Sequence, residues 1–386
     1  MEKQKRNPQF AILSVIAIAL VVMGHTAVGI GTLEWMFNYD SFHMPLFVFI
    51  SGYFASQCGK NKELNSLKAT FKKAVKRLLI PFFIWNFLYG IFAVIVNRIL
   101  GIEWCNANDF WYMVLIRPFT YGNVFFGFNS PSWFVLMLFE VKRIDSILEF
   151  LLRRAKYADK ISIIICLLIS IGSVYFSRWG GERTAFEITV TRVGYMLFWF
   201  EAGGFYRRYV EKLDTCNNLL YFSVVLTIQS ILMLICREKG IVAGIWNSEF
   251  TNGPFLTLLA AGTGIAFYLR LSRMLVPSFQ NSNLVTYIST HTFSIMMHQM
   301  FGFFLLNIAC LSLTKMMGIY DFDLAAFQYD CWYYYCPGNL YCFRVVYACF
   351  GFSVPLIGCK LYEIYIQNRI EYMLNKVHLK CHKNHI

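Results

Sequence analysis

Apolar runs of about 17 to 25 residues, the length a helix needs to cross a bilayer, recur from end to end of this chain. The pattern predicts spans near 10–30, 42–58, 78–96, 132–140, 161–177, 189–206, 219–236, 254–269, 284–308 and 341–365. Ten spans put both termini on one side of the membrane. The first run has no small-residue cleavage site after a short apolar core, so it reads as a retained helix rather than a signal peptide. The fourth is the weakest, because Lys142, Arg143 and Asp145 follow closely on Pro131–Glu140. It is either short or tilted, or its inner half faces protein or water rather than lipid.

Composition agrees with this all-α polytopic reading: 57% of the 386 residues are hydrophobic and only 15% charged, too little polar surface for a soluble protein of this size. The net charge of +13 raises the question of nucleic acid, but its distribution excludes that class. With the N-terminus inside, the inner segments hold 25 Lys and Arg and the outer loops 7, as the positive-inside rule requires. The basic excess therefore orients the protein in a cell membrane, with both termini cytoplasmic. Residues 1–386 show no linker, repeat or low-complexity tract and read as a single membrane-embedded domain.

The twelve cysteines form no CxxC motif. Cys331 and Cys336 fall in an outer loop, where they can pair if the compartment is oxidising, and Cys381 stands near His378 and His382 in the tail. The outer loops 97–131 and 318–341 are rich in aromatics, including Trp104, Trp111, Tyr121, Phe125 and the run Cys331-Trp-Tyr-Tyr-Tyr-Cys336. Such residues serve either as an interfacial belt or as a platform for sugar rings.

Few polar groups lie within the spans, and each is a candidate for chemistry because burying it in lipid is costly. His25 falls about 22 Å along the first span, in the outer leaflet. Ser14, eleven residues earlier, returns to the same stripe, so Ser14–Ile18–Val21–His25 should face one neighbour or one cavity. A neutral imidazole there can take a proton from a hydroxyl near neutral pH. His43 stands at the outer mouth of the second span, with Ser41 as a possible cap and Pro45 in the first turn. His291 and His298 share a face of the ninth span, with His298 and Gln299 near mid-membrane. Arg192 and Glu201 are the charges of the sixth; Arg192, near the outer end, either binds an anion or snorkels to water. No HxxxH or carboxylate companion turns the histidines into a metal site.

Five stretches, in order and spacing, resemble the integral-membrane acyltransferase-3 family, in particular bacterial capsule and exopolysaccharide O-acetyltransferases. They are Val21–His25, Phe42–Tyr53, Lys76–Trp85, Pro131–Phe134 and Thr292–His298. The resemblance covers roughly residues 10–310. It implies a cytoplasmic acyl-CoA donor, usually acetyl-CoA, as co-substrate with no bound cofactor, and an outward-facing or lipid-linked glycan acceptor. His25 matches the family's essential histidine, and His43 and His298 match other recurrent positions. Ser14 stands where many members carry Arg or Lys, and Arg192 is the candidate to supply that cation. Glu140 comes seven residues after Trp133, out of register with the acidic residue some members place nearer. Gln299 follows His298, where a second histidine is usual.

The sequence thus reads as a transmembrane O-acyltransferase acting on a polysaccharide, with His25 as base or acyl relay. Lys72, Lys73, Lys76 and Arg77, at the inner mouth of the third span, are placed to attract CoA phosphates, although positive-inside anchoring explains them equally. Arg192, Trp133, Ser14 and Gln299 complete the candidate binding set. The main alternative is a transporter whose histidines couple to protons. Neither an internal repeat nor a pair of broken helices supports it.

Overall fold

A computed structural model describes residues 7–28, 33–56, 64–105, 109–120, 126–179, 183–237 and 240–367. Tyr121, Phe125, His378, Cys381 and His382 lie outside the described residues. The first half of the chain forms α1 (Pro8–His25), α2 (Tyr39–Ala55), α3 (Leu64–Ala74), α4 (Ile80–Leu100), α5 (Arg117–Thr120) and α6 (Trp133–Leu152). Then follow α7 (Ala158–Arg178), α8 (Ala185–Phe205), α9 (Asn218–Ile235), α10 (Pro254–Met274), α11 (Val276–Phe279) and α12 (Asn283–Thr290). The last are α13 (Thr292–Met317), α14 (Leu324–Tyr329) and α15 (Arg344–Tyr362). A two-stranded ribbon, β1 (Ala243–Gly244) against β2 (Glu249–Phe250), is the one sheet among the described residues.

The protein is an all-α, multi-pass membrane protein. By length and composition, seven helical stretches of the described residues can cross a membrane: α1, Leu67–Leu100, α7, α9, α10, α13 and Tyr341–Ile366. The three other expected spans correspond to α2, α6 and α8. Helix α2 has 17 residues, whereas α6 carries Glu140, Lys142, Arg143, Asp145 and Glu149, and α8 carries Glu187, Arg192 and Glu201. Helix α2 packs against α1, α8 and α10, and α8 against α2, α6 and α7. Of these charges Asp145, Arg192 and Glu201 are buried, and they survive there because the bundle interior and its cavities, not lipid, receive them.

Among helices in lipid, association depends on close packing more than on apolar burial. The α2–α8 crossing shows this. A Cβ on Gly52 would overlap the Phe200 carbonyl oxygen, and one on Gly203 would overlap that of Phe49. Only glycine at both positions lets the two backbones touch, which accounts for the Ser51-Gly52 pair near the end of α2.

Several sequence expectations change at this level. The fourth span extends as far as Leu152, and its charged half faces protein and a cleft. The third joins α3 and α4 through a π-helical turn, Val75–Leu79, that carries Lys76 and Arg77. The ninth is broken at His291, which closes α12 and opens α13, so His291 and His298 do not share one helix. Asn38, not Ser41, caps α2: its side chain accepts from Asp40 N, whereas Ser41 Oγ donates to the Asn38 carbonyl at 2.6 Å. Pro45 consequently lies inside that helix, beyond its first turn.

Candidate functional site

Helix α1 ends at His25, and the turn after it returns Thr26, Ala27 and Val28 N–H to the carbonyls of Val22, Gly24 and Met23. Residues distant in the chain add to these bonds. Tyr39 Oη donates to the Gly24 carbonyl at 3.4 Å, and Tyr334 Oη to that of His25 at 2.6 Å. Three segments therefore converge on the turn that presents the imidazole. The Gln299 amide and the His43 ring bear on His25, and Trp332 covers it with ring centroids 5.3 Å apart.

This chamber is poor in compensating hydrogen bonds. His25 Nδ1 and Gln299 Oε1 are both buried without a hydrogen-bond partner. Each costs about 1–3 kcal/mol when unsatisfied, and a hydroxyl-bearing ligand would relieve that cost. His43 Nδ1 lies 2.5 Å from the Tyr39 carbonyl, which can only accept. His43 is thus protonated on Nδ1, and its Nε2 carries the lone pair. His25 and His43 thus interact across the short α1–α2 connection.

His298 turns elsewhere. Successive helical residues point about 100° apart; while Gln299 faces His25, His298 Nδ1 lies 2.7 Å from Tyr89 Oη on α4. The Trp85 ring packs edge-on at 4.2 Å. His298 belongs to the α4–α13 interface. His291 has both nitrogens engaged, Nδ1 with the Tyr287 carbonyl at 2.8 Å and Nε2 near Glu363 at 3.4 Å, and ties the α12–α13 break to the π-helical turn Glu363–Gln367 that follows α15.

A second polar region opens near the other end of α1. A cleft of about 480 Å³ is bordered by Ser14, Lys73, Arg77, Lys142, Asp145 and Glu201, among others. Lys73 and Arg77, four residues apart, share one face across the π-helical turn. Lys72 and Lys76 are exposed and do not border the cleft. Asp145 is buried beside Glu201, with Oδ1 unsatisfied, and Arg208 bridges Glu201 at 2.8 Å and Asp159 at 3.4 Å. Ser14 faces this cleft, about 16 Å along α1 from His25. Its hydroxyl is spent on the Phe10 carbonyl at 2.7 Å. Ile18 and Val21, between them, are packed in the core. The stripe Ser14–Ile18–Val21–His25 therefore runs from the cleft past packed neighbours to the chamber rather than along one open cavity.

Arg192 and Trp133 come together in a third place. The guanidinium is 2% exposed and sits 5.2 Å above the Trp133 ring, with Nη2 3.2 Å from Thr189 Oγ1. It does not snorkel to water. It borders a side cavity of about 480 Å³ whose walls include Met137, Phe139, Phe186 and Val193.

Sequence reasoning missed Trp332, Tyr334 and Tyr89 as individual partners and read Lys142 and Asp145 only as the end of a span. For the last two, charges continuing a helix past its apolar stretch were the available signal. The Cys331–Cys336 run signalled aromatic function without indicating which ring meets His25. Both of its cysteines are free in the structure.

A protein-family model described as an acyltransferase domain matches residues 11–315. The chain belongs to this acyltransferase-3 family. The match includes His25, His43, His298, Gln299, Arg192 and the cations of the cleft. It ends at residue 315, within the last turn of α13, so Trp332, Tyr334 and α15 lie beyond it. No curated protein and no solved structure gives a significant match to the chain. Family membership makes the protein a membrane-bound acyltransferase, with an acyl donor and an acceptor.

Proposed function

We propose that this acyltransferase moves an acetyl group from cytoplasmic acetyl-CoA to a hydroxyl of an extracellular or lipid-linked polysaccharide. In this reading it resides in the cell membrane with both termini in the cytoplasm. The observation that carries the reading is the unsatisfied His25 imidazole, walled in with Gln299 and His43, at one end of a helix whose other end borders a charged cleft. Lys73, Arg77 and Lys142 suit the phosphates of CoA, since a cation–phosphate hydrogen bond is about twice as strong as a neutral one. The chain-wide distribution of Lys and Arg supports a cytoplasmic position for that end.

The acceptor hydroxyl oxygen attacks the thioester carbonyl carbon. A C–O bond forms as the C–S bond breaks, and His25 takes the hydroxyl proton and returns it to the departing thiolate. Ester and free CoA thiol leave, and the imidazole is neutral again. His43, fixed with Nε2 as its basic nitrogen, and Gln299 orient His25. In a second form of the assignment the His25 nitrogen attacks the thioester carbonyl and the C–S bond breaks, CoA leaving as its thiol with the imidazole proton; the acceptor hydroxyl oxygen then displaces the imidazole nitrogen, which takes up the hydroxyl proton. His298 and Trp133 act in this reading from the walls of the bundle, and Arg192 binds an anionic group in the side cavity.

The test is transfer of labelled acetyl groups in proteoliposomes, with acetyl-CoA on one side and the producing cell's glycans on the other. Wild type should form a base-labile ester, and His25→Ala, at matched levels of folded protein, should not. Label bound to the protein after acid quench would select the acyl relay. Transfer that survives the substitution would sink the role of His25. No transfer from any acyl-CoA would sink the reaction.

A further inference from the structure

The loop after α13 does not stay at the rim of the bundle. Helix α13 runs to Met317, yet the loop returns to Asn307, whose Nδ2 donates to the Tyr333 carbonyl at 2.9 Å. Ten helical residues separate those levels, about 15 Å. Irregular backbone at such depth survives only where protein satisfies its polar groups, and here it is satisfied closely. Tyr335 N–H donates to Tyr347 Oη at 2.9 Å, and Tyr347 Oη donates to Asn307 Oδ1 at 2.5 Å.

Within this descending run, the tyrosines are committed to structure. Tyr333 Oη accepts from Asp323 N, Tyr334 Oη donates to the His25 carbonyl, and Tyr335 Oη donates to Asp321 Oδ1. Trp332 differs. Its backbone N–H is fixed to Asp330 Oδ1 at 2.8 Å, but its indole lies against the His25 ring and remains 37% exposed. A rigidly held indole with an open face beside an imidazole is suited to a flat, hydroxyl-bearing ring. The C–H groups on one face of a sugar are weakly positive and match the negative face of an aromatic ring.

Building on the proposed O-acylation, we infer that Trp332 is the acceptor subsite: a sugar ring of the polysaccharide stacks on its open face, which brings a ring hydroxyl to His25. Because Trp332 lies beyond the matched domain, acceptor choice is written into a segment separate from the shared acyl-transfer machinery. Exchange of this segment would change which glycan is modified without rebuilding the chamber floor.

Two measurements on the full-length protein test this. One is equilibrium binding of labelled oligosaccharides, prepared by partial hydrolysis of the producing cell's surface polysaccharide. The other is the KM for acceptor and for donor in the transfer assay. Trp332→Ala should weaken oligosaccharide binding and raise acceptor KM about tenfold, whereas Trp332→Phe should stay within about threefold of wild type. Donor KM should hold in both. Tyr320, 96% exposed on the same loop, provides the control, and Tyr320→Ala should bind as wild type does. Unchanged acceptor binding in Trp332→Ala would overturn the inference. So would equal losses in the Ala and Phe variants with a rise in donor KM, the signature of a purely structural loop. Trp332-dependent binding by a wild type that transfers no acyl group would refute the proposed reaction and leave the sugar subsite standing.

Discussion

The chamber around His25 and the cleft near the start of α1 are both polar regions inside one bundle, yet they are built on opposite principles. The cleft gathers Lys73, Arg77, Lys142, Asp145, Glu201 and Arg208, with their charges compensating one another. Among the described residues, no carboxylate or lysine stands against the imidazole. The chamber has an amide, a second histidine and an aromatic roof, and two of its buried polar atoms lack partners. Charge-rich walls suit capture of a charged molecule such as a nucleotide thioester. A nearly neutral, closely packed chamber suits proton transfer, because few competing dipoles surround the reacting groups. The difference teaches that binding and chemistry need not share residues even when a single helix connects them.

Substitutions can break this division of labour, and the largest effect is expected at its chemical end. His25→Ala should reduce acyl transfer by about 10²- to 10⁴-fold in labelled-acetyl assays, with unchanged helical content by circular dichroism. At the other end, Arg77→Ala should raise donor KM about ten- to a hundredfold and leave acceptor KM alone. Equal changes in both constants would erase the distinction between the regions. Gly52→Ala probes the scaffold common to both: a methyl group against the Phe200 carbonyl should cost about 1–3 kcal/mol, read as a lower melting temperature in detergent.

Smaller effects sharpen the comparison. Gln299→Leu should lower kcat about tenfold with donor KM steady, because the side chain faces His25 and the acceptor hydroxyl rather than the cleft. Ser14→Ala should change either rate by less than about twofold, since the hydroxyl is committed to its own helix at the Phe10 carbonyl. A large loss there would mean that Ser14 touches the donor.

Legibility in the sequence varied with the kind of signal. His25 and His43 could be paired because they flank a short hairpin, where chain proximity dictates spatial proximity. Arg77 was legible as a cation at the start of a span, but separating it from Lys76 required the π-helical turn to set which side faces the cleft. His298 looked equivalent to Gln299 in sequence; the 100° step between neighbours sent one to Tyr89 and the other to His25. The break at His291 falls in the polar run Ser289-Thr-His-Thr292, a signal masked by the apolar residues further out on both sides.

Hydropathy and run length by themselves determined that this is an all-α membrane protein, since apolar runs this long cross lipid as helices that satisfy their own backbone hydrogen bonds, whereas barrel strands are shorter and alternate. The order of short motifs determined its acyltransferase family. Tertiary structure decided that Asp145, Arg192 and Glu201 are buried between packed helices, because only packing shows where charge escapes lipid. It also decided that Trp332, more than three hundred residues along the chain, covers His25. A loop's return into a bundle is fixed by distant partners such as Asn307 and Tyr347, and no local pattern encodes those partners.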